Sequence, residues 1–470
     1  PQAPIGAQTQ HTGEVVVLPE NTKQLLDAKA MPETPNDLPR VLVIATVSFN
    51  WEAGGGVTMC NLFKGWPRDR IAQIYTHGVR NKDMSVCRTY YRIPPVDRQL
   101  ELAEGRPLFG RGPVAKALRR ARARRLLKLE EQYQEAIAFA RKFRPDVAYV
   151  RPLDKPSSYW WLGHDLCELL GIPYVTHIMD DWPARYEDDA KAGSNPDIPQ
   201  GVRGRLKASR MKSAVEQTID RAAANIAISP EMASAFGERY GKPFEAFHNT
   251  VDANRWKQLR TARPAGRAGI DRPFVIRYVG GVMADKELRS LQEVAKAARS
   301  LHDSGLKVRF ELHCGPAWND AIDEHLTDAP VTGRGAFLKQ EQLPAVLSAA
   351  DLLVLPINFD ERSRKYVGYS MQTKGPEYMA TGTPILVYGP PANPNVRYAR
   401  DAGWGIVIDQ QDPQGECIAR TIGGLIEEPT LGQRVAKRAE AFVEANHDAS
   451  IIRTRFRRVL RTAAASRATS

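Results

Sequence analysis

Residues 369–389 read YSMQTKGPEYMATGTPILVYG, and this stretch decides the fold. Pro376 suits a first helical turn, Gly382 and Pro384 end a short helix, and ILVY begins a buried strand. The spacing predicts a helix over 376–381 whose N-terminus faces a strand-end cleft where Lys374 sits. Free amides beside an ammonium suit a phosphate, and Glu377, one turn in, suits a ribose diol.

Working outward, strand and helix signals alternate on both sides. Apolar runs at FVIRYVG (274–280), VRFELHCG (308–315), DLLVLPI (351–357) and PILVYG (384–389) predict a parallel sheet, with helices over 286–302 and 341–350. Before them, RVLVIATVSFN (40–50) runs into Gly54-Gly55-Gly56 as strand, loop and helix. Further runs follow at 71–78, 146–151, 173–178, 225–229 and 244–249, separated by helical stretches such as 130–143 and 210–223. The pattern predicts an α/β chain of two doubly wound parallel-sheet domains, 41–255 and 256–445, with a ligand in the cleft at the strand ends. Residues 1–40 are proline-rich and aperiodic and read as a tail or surface strap. In 446–470 a last helix carries Ile452, Phe456 and Val459 on one face and Arg453, Arg457 and Arg461 on another, which predicts packing by the apolar stripe with the arginines outward.

Composition bounds the function. The 470 residues carry a formal charge of +12, concentrated in three segments without acids, 111–128, 203–212 and 453–467. Those 43 residues hold +19, so the other 427 carry −7. The localised charge predicts a docking face for something anionic, and KALRRARARRLLK (116–128), basic all round, suits an anionic membrane. No zinc finger or aromatic RNA-reading pattern accompanies it, so nucleic acid is not an expected partner. Five cysteines, odd in number and never in a CxxC pair, fit neither a disulfide framework nor a zinc site. No apolar run spans a bilayer and the first residues lack a signal-peptide pattern, so a cytoplasmic chain peripheral to the inner membrane face is expected. GxGxxG, GxxxxGK[ST] and GxSxG are missing, which argues against dehydrogenase, P-loop and serine-hydrolase readings. No DxD occurs, so no carboxylate clamp for a divalent cation is expected.

The stretch 369–389 resembles the signature of the retaining glycosyltransferases of family 4, in which a Lys and a Glu precede a small residue, Gly and Pro. NIAISPEMASAFGERYGKPFEAFHNTVD (225–252), YVGGVMADKELRSLQEVAKAA (278–298) and GRGAFLKQEQLPAVLSAADLLVLP (333–356) are similar to the parts that close the first domain, open the second and hold the base. The resemblance implies the GT-B fold: two facing Rossmann-like domains and a C-terminal helix returning to the first. It implies a hexosyltransferase of polysaccharide biosynthesis, using a UDP- or GDP-sugar as substrate without a further cofactor or metal, on a glycan or lipid-linked acceptor. Lys286 and Lys374 would neutralise the diphosphate and Glu377 would bind the ribose. Gly55, Gly56, Gly280, Gly281, Ser370 and Thr373 would complete the donor site. His177, at a strand end, would orient the acceptor or stabilise developing charge. Asp180, Asp181 and Trp182 resemble a DxWP acceptor motif, with the aspartates on sugar hydroxyls and the indole on a ring, although an Asp ahead of Trp-Pro also serves as a helix N-cap. Two positions depart from the family: Tyr369 stands where a second Glu is usual, and Gly281 where an Arg is common. A GT-B sugar-nucleotide epimerase and a non-catalytic GT-B membrane scaffold remain the alternatives.

Overall fold

The computed structural model describes residues 37–51, 54–76, 82–93, 134–151, 162–181, 184 and 201–466. Two all-parallel sheets organise it. The first has strand order β3-β2-β1-β4-β5-β6-β7, built from β1 (Val41–Ala45), β2 (Ile71–Tyr75), β3 (Thr89–Arg92), β4 (Val147–Val150), β5 (Tyr174–Ile178), β6 (Ala224–Ala227) and β7 (Phe244–Ala246). The second has order β10-β9-β8-β11-β12-β13, built from β8 (Phe274–Val279), β9 (Val308–His313), β10 (Thr332–Arg334), β11 (Leu352–Pro356), β12 (Ile385–Tyr388) and β13 (Ile406–Ile408). In each the strand order reverses beside the first strand, between β1 and β4 and between β8 and β11. Such reversals open a crevice at the carboxyl ends of the strands.

Why these runs are strands is plain from burial. β1, β2, β4, β5, β11 and β12 are buried along their whole length, as expected of strands covered on both faces. The strands missed by pattern, β3, β10 and β13, lie on sheet edges and include partly exposed residues. The helix expected over 210–223 is longer and earlier, Gly201–Asp220; that expected over 376–381 is Lys374–Met379, so Lys374 is its first residue.

The helix Pro429–Asn446 packs on the second half through Ala439 and Val443. The chain then crosses over. Val251 N donates to His447 O (3.1 Å) and Ala449 N donates to Val251 O (3.0 Å), so the two crossing segments run side by side. The final helix, Ala449–Ser466, lays Ile452, Phe456, Val459, Leu460 and Ala463 into the first half's core against Phe49, Phe63 and Tyr149. Its arginines are less outward than the sequence pattern predicts. Arg453 Nε donates to Asn61 O, and Arg455 pairs with Glu245 and lies over Phe247, leaving Arg458 and Arg461 on the exposed side. The basic segment 111–128 lies outside the described residues.

Candidate active site

The loop after β8 begins with Gly280, whose φ of 148° is left-handed territory. A Cβ there would stand 2.6 Å from Lys374 Nζ and 2.9 Å from Tyr278 Oη, so glycine is what lets Lys374 close on the strand end. The Lys374 ammonium donates to Tyr278 Oη (2.9 Å) and lies 4.1 Å from that ring's centroid. Tyr278 in turn donates to Gly281 O (2.5 Å), tying loop to lysine. The ring of Trp318 fills the space beside Gly281. Burial pushes Lys374 down to about 8, opposed by the Glu287 carboxylate.

Lys286, from the same loop, points its Nζ over Tyr366 at 4.5 Å. Burial opposes its charge, yet Asp180, Tyr366 and Glu287 hold the ammonium above its usual range. Glu287 itself is buried, and burial pushes its carboxyl up while Lys374 and Lys286 pull it down. Asn358, which the sequence reading missed, fixes this loop: its Nδ2 donates to Ala284 O, its backbone N donates to Lys286 O, and its Oδ1 accepts from Ser290 N. Glu377 completes the group. Its Oε1 accepts from Gln340 Nε2 (2.8 Å), and burial pushes the carboxyl up to about 6 against the pull of Gln340 and Lys374. Gln340 is a second residue the motif did not single out. Arg362, Arg364 and Lys365 are exposed, and Lys365 pairs with Glu361.

The facing wall is made by the first half. The helix Gly54–Phe63 starts at the glycine run, and protein side chains press on it: a Cβ on Gly55 would lie 2.4 Å from Arg151 Nη1, and one on Gly56 2.2 Å from Asn50 Nδ2. Arg151 follows β4, donating to Gly55 O (2.8 Å) and reaching Met179 Sδ (2.9 Å). His177, in β5, is buried, with Nδ1 2.5 Å from Tyr149 Oη. With the phenol donating, the imidazole proton resides on Nε2, which has no partner among the described residues. Burial, followed by the Arg151 charge, holds His177 well below its ordinary pKa, so the ring is neutral. Arg151 has a legible signal in retrospect: an arginine just past a fully apolar strand at a switch point.

The two halves meet through residues 369–373. Ser370 Oγ donates to Asp180 Oδ1 (2.5 Å), and Ser229 Oγ, while capping its own helix at Met232 N, donates to Tyr369 O (2.9 Å). The Tyr369 ring packs edge-on against Phe236, and Thr373 approaches Gly54. Lys286, Lys374, Glu377, Gly280, Gly281, Ser370 and Thr373 are thus brought to one cleft, with Gly54, Arg151 and Asp180 opposite.

Solved structures share the fold over nearly the whole chain. HepE of Anabaena, solved with UDP and glucose, matches with a TM-score of 0.58 at 15% identity, covering 89% of this chain and 98% of that one. Sucrose-phosphate synthase of Thermosynechococcus elongatus gives 0.59 at 13% identity, covering 91% and 100%. α,α-Trehalose 6-phosphate synthase of Burkholderia multivorans gives 0.57 at 12%, covering 92% and 98%. The fold is GT-B. No family model matches the sequence, and no curated protein does.

Within the GT-B frame the DDWP segment divides. Asp181 is buried and grips Arg239 with both oxygens at 2.9 Å, and its Oδ1 is 3.4 Å from Ala184 N, a weak helix-start contact. Asp180 faces the cleft instead. Trp182 lies outside the described residues. No cluster of three or more His, Cys, Asp or Glu suited to a metal occurs among the described residues. A groove of about 830 Å³ along the helix Leu288–Asp303 lies away from the strand ends; of its lining cations Lys296 donates to Pro413 O and Arg299 pairs with Asp328.

Proposed function

We propose that the chain is a retaining, metal-independent glycosyltransferase moving a hexose from a nucleoside diphosphate sugar to a glycan or lipid-linked acceptor. The observation that carries this reading is the convergence of Lys286, Lys374 and Glu377 at the strand ends of the second half of a GT-B fold. Solved relatives in fold hold UDP or UDP-glucose, which supports a donor of that class.

The chemistry follows from the charges. As the glycosidic bond to the diphosphate breaks, negative charge grows on the leaving oxygen, and two ammonium groups stabilise it most at that moment. Glu377, held by Gln340, accepts hydrogen bonds from the ribose. In a front-face retaining reaction the leaving diphosphate takes the acceptor proton, so no protein nucleophile is needed. The neutral His177, with Nε2–H unpartnered, would orient the acceptor by donating a hydrogen bond. Apposition of the two halves excludes water and suppresses donor hydrolysis.

A cytoplasmic location peripheral to the inner membrane face completes the proposal. Among the described residues no helix is long and apolar enough to cross a membrane. The helix Gly201–Asp220 presents Arg203 and Arg205 beside an exposed Val202, which supports attraction to anionic lipid.

The test is turnover with a panel of UDP- and GDP-hexoses. Acceptor-dependent release of nucleoside diphosphate with the anomeric configuration kept supports the proposal, and inversion removes the retaining part. Isomerised sugar nucleotide without acceptor supports an epimerase. Binding without turnover supports a scaffold, the reading favoured by Tyr369 turning its ring out of the cleft.

A further inference from the structure

Asp180 and Asp181 are neighbours in sequence with opposite surroundings. Asp181 spends its charge on Arg239 inside the first half. Asp180 reaches across to the second: Ser370 Oγ fixes its Oδ1 at 2.5 Å, its charge is one of those supporting the Lys286 ammonium, and Oδ2 has no hydrogen-bond partner among the described residues. Ser370 precedes Lys374 by four residues, and Lys286 stands in the loop after β8. The Asp180 carboxylate therefore borders the Lys286 ammonium from the opposite wall.

The other acidic and polar candidates at this border are occupied. Glu287 is buried beside the lysines, where Met283 N donates to it. Glu377 is held by Gln340 on the nucleoside side. Tyr369 has left the cleft for the apolar cluster around Met232 and Phe236. A hexose attached beyond a diphosphate bound to Lys286 and Lys374 then has the Asp180 carboxylate on the facing wall.

We propose that Asp180 is a specificity-determining residue for the donor sugar, its carboxylate accepting hydrogen bonds from hydroxyls of the transferred hexose rather than from the acceptor. The inference rests on the transferase reading above. A carboxylate suits the task because its two oxygens accept from neighbouring hydroxyls together, and Ser370 fixes its rotamer. Lys286 at its side offsets the repulsion that a carboxylate would otherwise meet beside a diphosphate. Because Asp180 belongs to one half and the lysines to the other, the sugar is read only when the halves are apposed. Selection of the sugar is thereby coupled to exclusion of water.

A nucleoside diphosphate has no hexose, so its affinity should ignore Asp180. Calorimetry of the full chain, Asp180→Asn and Ser370→Ala with UDP, GDP and their hexose conjugates separates the possibilities. In Asp180→Asn the conjugate that the wild type binds should weaken about 10- to 100-fold, while the bare nucleotide stays within about 2-fold. Ser370→Ala should weaken the same conjugate by a smaller factor, and the acceptor KM should hold in both. Parallel loss of nucleotide and conjugate overturns the proposal in favour of a charge-organising role. An increased acceptor KM with unchanged donor affinity overturns it in favour of the acceptor side. A wild type that binds none of the nucleotides fails the transferase reading itself, an outcome distinct from either.

Discussion

The two halves share a strand order and differ in what stands at the strand ends. In the second, two lysines and two carboxyls are crowded together, so that burial pushes Lys374 down to about 8 and Glu377 up to about 6. In the first, His177 and Tyr149 are buried with shifts that leave both uncharged at neutral pH, and glycines let Arg151 and Asn50 come close. One scaffold thus yields a wall that titrates near neutrality and a wall whose buried His177 and Tyr149 stay neutral beside the fixed charge of Arg151. On the proposed function, anion binding belongs to the second half and placement of an incoming hydroxyl to the first.

The largest effect should come from the charged wall. Lys374→Ala removes a buried cation at the developing charge and is expected to lower kcat/KM about 100- to 1000-fold, with nucleotide affinity falling in calorimetry. A loss no greater than that of first-half variants would erase the distinction. The pH profile sharpens it. Below about 6, Glu377 gains a proton and stops accepting from two hydroxyls; above about 8, Lys374 loses its proton and the diphosphate site loses a charge. The kcat/KM profile should therefore be a bell with limbs near those values. Glu377→Gln should remove the acidic limb and cost about 10-fold, read by repeating the profile.

The same contrast explains what the sequence disclosed. Lys374 and Glu377 were legible because a short helix between a cleft loop and a buried strand leaves few places for either side chain. The alternation of fully apolar runs likewise announced two parallel sheets, whereas β3, β10 and β13, on edges and partly exposed, lacked that signal. Gln340 and Asn358 were illegible because their work is done on residues 37 and 68–74 positions away, and no local pattern records such a partner. The glycines were legible as close-approach positions, but not what approaches them. Arg453 and Arg455 read as surface charge since pairing with Asn61 and Glu245 depends on the crossover that docks the last helix.

A smaller effect is expected at the neutral His177–Tyr149 pair of the first half. Tyr149→Phe removes the hydroxyl that fixes His177 Nδ1, freeing the imidazole to change tautomer and orientation. The expected outcome is a fall in kcat of about 10-fold with little change in donor KM, measured at saturating acceptor. A matching loss of donor affinity would mean that the first half also binds the anion.

The smallest effect on donor binding should follow from separating Asp181 and Arg239. Asp181 is 3% exposed and its guanidinium partner 35%, so Arg239→Ala leaves a buried carboxylate that water reaches only partly. The penalty is then discounted from that of a fully buried pair, to about 2 kcal/mol. Denaturant unfolding should record that loss, provided the transition stays two-state. Nucleotide affinity should remain unchanged, because Asp181 faces into the first half while the neighbouring Asp180 faces the lysines. If Arg239→Ala instead weakens sugar-nucleotide binding as Asp180→Asn does, the two aspartates act as one unit, and the first-half wall takes part in donor recognition through its own packing.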